Sequence, residues 1–143
     1  MSPDSHLATI ASVIQLAVAP VFLVSGVAAM LAVLANRLGR IIDRARVLEA
    51  LVSPDAMAIE ELRALSERAR LINRSITLAT TSALLVCTVI VVLFLGTFLT
   101  IDLATIVALL FVAAMAALIT GLLTFLREVR LATRTLRIGH GLP

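Results

Sequence analysis

The sequence predicts an all-α integral membrane helical bundle with three transmembrane helices and a cytoplasmic antiparallel helical hairpin between the first and second. Three observations predict it. The 143-residue chain is 61% hydrophobic with a mean hydropathy of +1.11, too apolar for a soluble domain whose surface must be largely polar. Three apolar runs, at 7–35, 72–99 and 103–126, each exceed the roughly 20 helical residues that a hydrocarbon core about 30 Å thick requires. The twelve Lys+Arg residues are all Arg, eight of them at positions 37–74 and four at 127–137.

Residues 1–6 form a short outer N-terminus and 7–36 the first span. A cleaved signal peptide competes with this reading, since Ala17-Val18-Ala19 resembles a cleavage site. Against it, no Lys or Arg precedes the run, Pro20 would follow the cut, and the segment left from Pro20 would be too short to span. Two residues stand out inside the span. The amide of Gln15 is costly against lipid, so it should face another helix or a water-filled cavity, most simply as a hydrogen bond that locks helix packing. Pro20 cannot donate to the carbonyl of Leu16 and should kink the helix.

Residues 37–73 are polar, with strong helix formers and one break at 53–55, Ser53-Pro54-Asp55. Ser53 as N-cap with Pro54 at the first helical position predicts a helix start, hence two helices and a tight turn. Leu38, Ile41, Ala45, Leu48 and Val52 recur at spacings of three and four, and so do Leu62, Leu65, Ala69, Ile72 and Ile76. That is the seam of a coiled-coil hairpin. Both seams continue into the spans, through Leu34 on one side and through Ala79 and Ala83 on the other. A short echo, 43–48 against 67–72, needs no explanation beyond two amphipathic helices of similar composition.

The second span, 74–99, and the third, 103–126, are joined by an outer loop of only 100–102, which makes them antiparallel neighbours. Gly96 suits a helix end, and Thr100 or Asp102 can cap the next helix. Helices pack closely in lipid through small residues. Ser75, Ala79, Ala83 and Cys87 form such a ridge on the second span, and Ala113, Ala117 and Gly121 form one on the third. Hydroxyls at Thr77, Thr81 and Thr88 are expected to bond back to the preceding turn.

Segments that retain Arg stay on the cytoplasmic side, so the N-terminus is expected outside and the hairpin and the basic tail, 127–143, inside. Asn36-Arg37 and Asn73-Arg74 fall at one depth in an antiparallel hairpin and, with Arg127, make an inner-boundary polar cluster. It reads as interfacial anchoring, or as a cation ring if subunits surround an axis. Arg127, Arg130, Arg134 and Arg137 share one helical face, a basic stripe facing the inner leaflet, where anionic head groups attract each cation by roughly 1 kcal/mol.

Several function classes lose ground. Nucleic-acid binders usually add stacking aromatics, whereas Trp and Tyr are absent and all five Phe lie in apolar runs. His6 and His140 sit on opposite sides of the membrane in this topology and cannot converge on a metal or a nucleophile. No phosphate-binding glycine loop or Cys cluster occurs, Cys87 has no intramolecular disulfide partner, and most carboxylates accompany arginines at helical spacing. No cofactor, metal site or enzymatic role is expected.

The ordered set 13–23 (with Gln15 and Pro20), Asn36-Arg37-Leu38, Asp43-Arg44-Ala45-Arg46, Arg68-Ala69-Arg70-Leu71-Ile72-Asn73-Arg74 and Phe125-Leu126-Arg127-Glu128-Val129-Arg130 resembles an uncharacterised bacterial membrane family, number 2721 among the domains of unknown function. The resemblance implies a small three-helix protein of the bacterial inner membrane and brings no activity with it. The residues themselves point to a non-enzymatic, self-associating protein whose Arg-rich hairpin and tail contact anionic lipid or a protein partner. The alternative is an oligomeric channel favouring anions, with Arg37, Arg74 and Arg127 at its cytoplasmic mouth.

Overall fold

The computed structural model describes residues 3–51, 55–97 and 103–136. They form three helices and no strand: α1 (Pro3–Glu49, 47 residues), α2 (Ala56–Gly96, 41 residues) and α3 (Ala104–Leu136, 33 residues). At 1.5 Å per residue these are about 70, 60 and 50 Å long, so each exceeds the thickness of a hydrocarbon core. All three carry windows long and apolar enough to cross a membrane. Within those windows only 17–22% of residues are buried. Phe22 is 73% exposed and Leu109 66%, and such side chains need lipid as their solvent. The protein is a membrane protein built of transmembrane helices.

α1 runs without a break from its apolar half into the polar half and is continuous through Pro20. Val52, Ser53 and Pro54, between α1 and α2, lie outside the described residues. The start of α2 differs from expectation: its N-cap is Asp55, in an extended conformation, whose carboxylate accepts from the Ala58 N–H at 2.8 Å. An ionised acceptor suits the positive end of a helix dipole better than a serine hydroxyl does. α2 ends at Gly96 with Thr97 as a right-handed cap (φ −73°), so the glycine is not used for a left-handed conformation. Thr100 and Asp102 lie outside the described residues.

Burial follows a seven-residue rhythm in every helix. On α1 the buried row is Val13, Pro20, Val27, Leu34, Ile41 and Leu48; on α2 it is Ala58, Leu65, Ile72, Ala79 and Val86. Seven residues turn a helix by about 700°, only 20° short of two turns, so such a row holds one face along the whole element. Leu34, Ile41 and Leu48 of α1 meet Ala58, Leu65 and Ile72 of α2 in one cluster, with Leu38, Ala45, Leu62, Ala69 and Ile76 packed around it. Apart from Ala58, those are residues that the spacing of three and four picks out. A second cluster, Val27, Ala79 and Leu118, sits farther toward the opposite end.

α2 is the central helix. It packs on both neighbours, while the backbones of α1 and α3 stay apart. The α3 side approaches closely at Gly121, where a Cβ would lie 3.3 Å from Leu78 Cβ and 3.5 Å from the carbonyl oxygen of Ser75. Ser82 Oγ, fully buried, donates to the Ala114 carbonyl at 2.8 Å and ties the same two helices together. Replacing Gly121 with Leu should therefore force the helices apart and destabilise the bundle by about 1–3 kcal/mol. Gly26→Ala, which meets nothing within 4 Å, should leave it unchanged or slightly more stable. Thermal unfolding in mild detergent compares the two.

Candidate functional site

On α3 the stripe Ala114–Gly121 continues after seven more residues to Glu128, a carboxylate where the pattern otherwise carries small side chains. Glu128 is fully buried. Two guanidiniums from two other helices meet it. Arg37 of α1 donates through Nη2 to Glu128 Oε2 at 2.7 Å. Arg68 of α2 donates through Nε to Oε1 at 3.1 Å and places Nη2 3.0 Å from the same oxygen. Each carboxylate oxygen thus has its own guanidinium. The arginine side chains are themselves only 25% and 24% exposed.

The surroundings position Arg37 further. Its guanidinium lies over the Phe125 ring, 5.4 Å from the centroid, a cation–π contact made on the turn preceding Glu128. The backbones of α1 and α3 do not approach each other, and the long arginine side chain reaches across to Glu128. The triad sits beside Leu34 and Ile72, at the level where the apolar half of α1 gives way to its polar half.

A polar groove of about 320 Å³ opens next to the triad, between α1 and α2. Arg37, Arg40, Arg44 and Arg68 line it together with Glu61, over Ile41 and Leu65. Arg44 is held at its rim by a forked pair with Glu61, Nε to Oε1 at 2.8 Å and Nη2 to Oε2 at 3.2 Å. The hydrogen bond from Arg44 holds the Glu61 carboxyl below the usual carboxylate range. The pair's contribution is therefore present above that range and fades as the pH falls through the lowered pKa. The described ion pairs all run between helices, none along one.

Many residues chosen from the sequence lie elsewhere. In the expected inner-boundary cluster Arg37 turns inward, whereas Asn36, Asn73, Arg74 and Arg127 are exposed. Adjacent residues such as Asn36 and Arg37 take different faces, because one residue turns a helix by about 100°. Gln15 is exposed and faces no other helix of the chain, whereas Pro20 is buried against a groove shared with Leu16, Val89 and Val92. Of the basic stripe, Arg127 and Arg130 are exposed, Arg134 belongs to α3, and Arg137 lies outside the described residues.

The small-residue ridges divide between the α2–α3 contact and the exterior. Ser75, Ala79 and Gly121 are buried at the α2–α3 contact, but Ala83 and Ala117 are half-buried, and Cys87 and Ala113 are exposed. A ridge stepping by four drifts: from Ser75 to Cys87 it rotates by about 120°, while a seven-residue step to Ser82 loses only about 20°. Ser82 and Ala114, which carry the interhelical hydrogen bond, follow the second rule. Thr77, Thr81 and Thr88 donate to Asn73, Thr77 and Leu84 carbonyls within α2, as threonines in apolar helices do. Glu128 and Arg68 escaped notice as a pair, although Glu128 is the one acid after Asp102 and falls on the stripe of Gly121. Among the described residues, no three His, Cys, Asp or Glu side chains gather as a metal site would require.

The family model described as "Protein of unknown function (DUF2721)" matches residues 17–138, nearly the whole chain. The chain belongs to the DUF2721 family. No curated protein and no solved structure matches it. The match extends across α1, α2 and α3 and includes all three triad residues of this DUF2721 member.

Removing one member of a buried ion triad strands the others. Glu128→Leu should destabilise the protein by about 3–5 kcal/mol, because two guanidiniums then face each other without a counter-charge. The triple variant Arg37→Met, Arg68→Met, Glu128→Leu should recover most of that loss. Unfolding midpoints in one detergent check this; a triple variant no better than the single one contradicts the assignment.

Proposed function

We propose that the protein is a non-enzymatic component of the bacterial inner membrane. Its N-terminus lies outside, and its α1–α2 hairpin and basic tail lie in the cytoplasm as an interaction surface for anionic lipid or a protein partner. The observation that carries this reading is the asymmetry of charge along the antiparallel bundle. Arg37, Arg40, Arg44, Arg46, Arg63, Arg68, Arg70 and Arg74 fall at the same end as Arg127 and Arg130. Their placement is that of segments that never cross the bilayer. Both helices of the hairpin outrun the bilayer at this end, with a filled apolar seam between them, so the surface is a stiff projection.

Self-association belongs to the same proposal. Gln15 carries its amide on an exposed face of a span, and two members of the small-residue ridges, Cys87 on α2 and Ala113 on α3, are exposed as well. A second copy supplies a hydrogen-bond partner for the amide and a close-packed neighbour for the small residues. Anion conduction is the weaker alternative. A ring at the cytoplasmic mouth would draw on Arg37, Arg74 and Arg127, and Arg37 is engaged by Glu128.

Thiol labelling in intact cells tests the orientation. In a Cys87→Ser background, an impermeant maleimide should label Ser2→Cys and spare Gly139→Cys; labelling of the latter contradicts the topology. Native mass spectrometry from mild detergent should release dimers or larger assemblies that Gln15→Leu weakens, and a strictly monomeric wild type removes the self-association.

A further inference from the structure

We propose that the groove between α1 and α2 binds a phosphate-bearing anion, through Arg40 and the free donors of Arg37, Arg44 and Arg68. The inference rests on the reading of this end of the bundle as the one facing the head groups, and it names what the surface there recognises.

Charge is the first ground. Four guanidiniums line or border the groove, and only two carboxylates, Glu61 and Glu128, oppose them. Two positive charges remain uncompensated in one concavity. Arg40 has no carboxylate partner among the described residues, and Arg37 Nε is buried without a hydrogen-bond acceptor. An added anion would balance the charge at the accessible Arg40.

Preorganisation is the second. Glu128 fixes Arg37 and Arg68 from below, and Glu61 fixes Arg44 at the rim. The entropy of ordering three long side chains is thus lost on folding and not on binding. Arg37, Arg40 and Arg44 follow steps of three and four along α1, which keeps them within about 60° of one another, and Arg68 faces them from α2. A tetrahedral phosphate, with several acceptor oxygens, suits forks converging from two helices better than a planar carboxylate does.

Depth and shape point to the ligand's form. The apolar run of α1 ends at Ala35. From Arg37 to Arg44 the groove climbs about 10 Å along the helix, which covers a head-group layer some 5–8 Å deep and a little of the water beyond. A lipid phosphodiester can reach it from the bilayer and a free phosphate from the aqueous side. The groove is larger than a bare phosphate, and its floor at Ile41 and Leu65 is apolar, so substituents on the phosphate have room.

Full-length protein in phosphatidylcholine nanodiscs, titrated with inorganic phosphate and with pyrophosphate at constant ionic strength, tests the soluble source by calorimetry. Nanodiscs containing phosphatidylglycerol, without free phosphate, test the lipid source by native mass spectrometry of retained lipid. In whichever arm binding occurs, Arg40→Gln, which leaves the triad intact, should weaken it about tenfold or more. The exposed Arg46→Gln, outside the groove, should change it little. Binding in one arm alone supports the site and identifies its source. No binding in either arm, or equal losses for Arg46→Gln and Arg40→Gln, overturns the proposal. Neither result touches the orientation, which the thiol labels read separately.

Discussion

A carboxylate sealed from solvent must have its charge balanced inside the protein, and in this bundle the balance at Glu128 comes from two helices other than its own. The rest of the architecture can be understood around that requirement. α2 touches both neighbours along its length, but α1 and α3 have no backbone contact, and Arg37 on Glu128 is the ion pair that joins them. Phe125, one turn before Glu128, packs into the apolar hairpin cluster and also receives the Arg37 guanidinium on its ring. Apolar packing and ion pairing therefore converge on the same level of the bundle.

Apolar packing alone leaves the register of such helices loosely specified. The buried rows repeat every seven residues with Val, Leu, Ile and Ala, so sliding one helix by seven residues would again bring apolar groups together. It would also carry Glu128 away from Arg37 and Arg68. A buried charge with no partner costs several kcal/mol, far more than the difference between one aliphatic contact and the next. The close approach at Gly121 and the Ser82–Ala114 hydrogen bond impose the same register on the α2–α3 side, though each is a smaller constraint.

Much of this was legible in the residues. Run length and composition gave three helices, and spacing of three and four picked out Leu38, Ile41, Ala45 and Leu48 against Leu62, Leu65, Ala69 and Ile72, because hydrophobic periodicity is a local property of the chain. The site was not legible to the same degree. Asn36, Asn73, Arg74 and Arg127 drew attention by their position at the ends of apolar runs, and position along the axis says nothing about the side of the helix. Glu128 amid arginines looks like a solvated residue until the stripe through Ala114 and Gly121 is extended to it. The four-residue ridges turn away from the α2–α3 contact beyond Ala79 for a related reason, since that contact follows a repeat of seven and a step of four leaves it within two turns.

The same end of the molecule that locks the helices together gathers the excess of positive charge. Glu128 neutralises part of it and, in doing so, holds two guanidiniums in place at the edge of an open groove. Structural pairing and the proposed anion site thus draw on one arrangement. Its most direct test is a double-mutant cycle between Arg37 and Glu128, using Arg37→Met, Glu128→Leu and the double variant with unfolding free energies measured in one detergent. A direct buried pair predicts losses that fail to add by about 1–3 kcal/mol, whereas additivity within about 0.3 kcal/mol would contradict it.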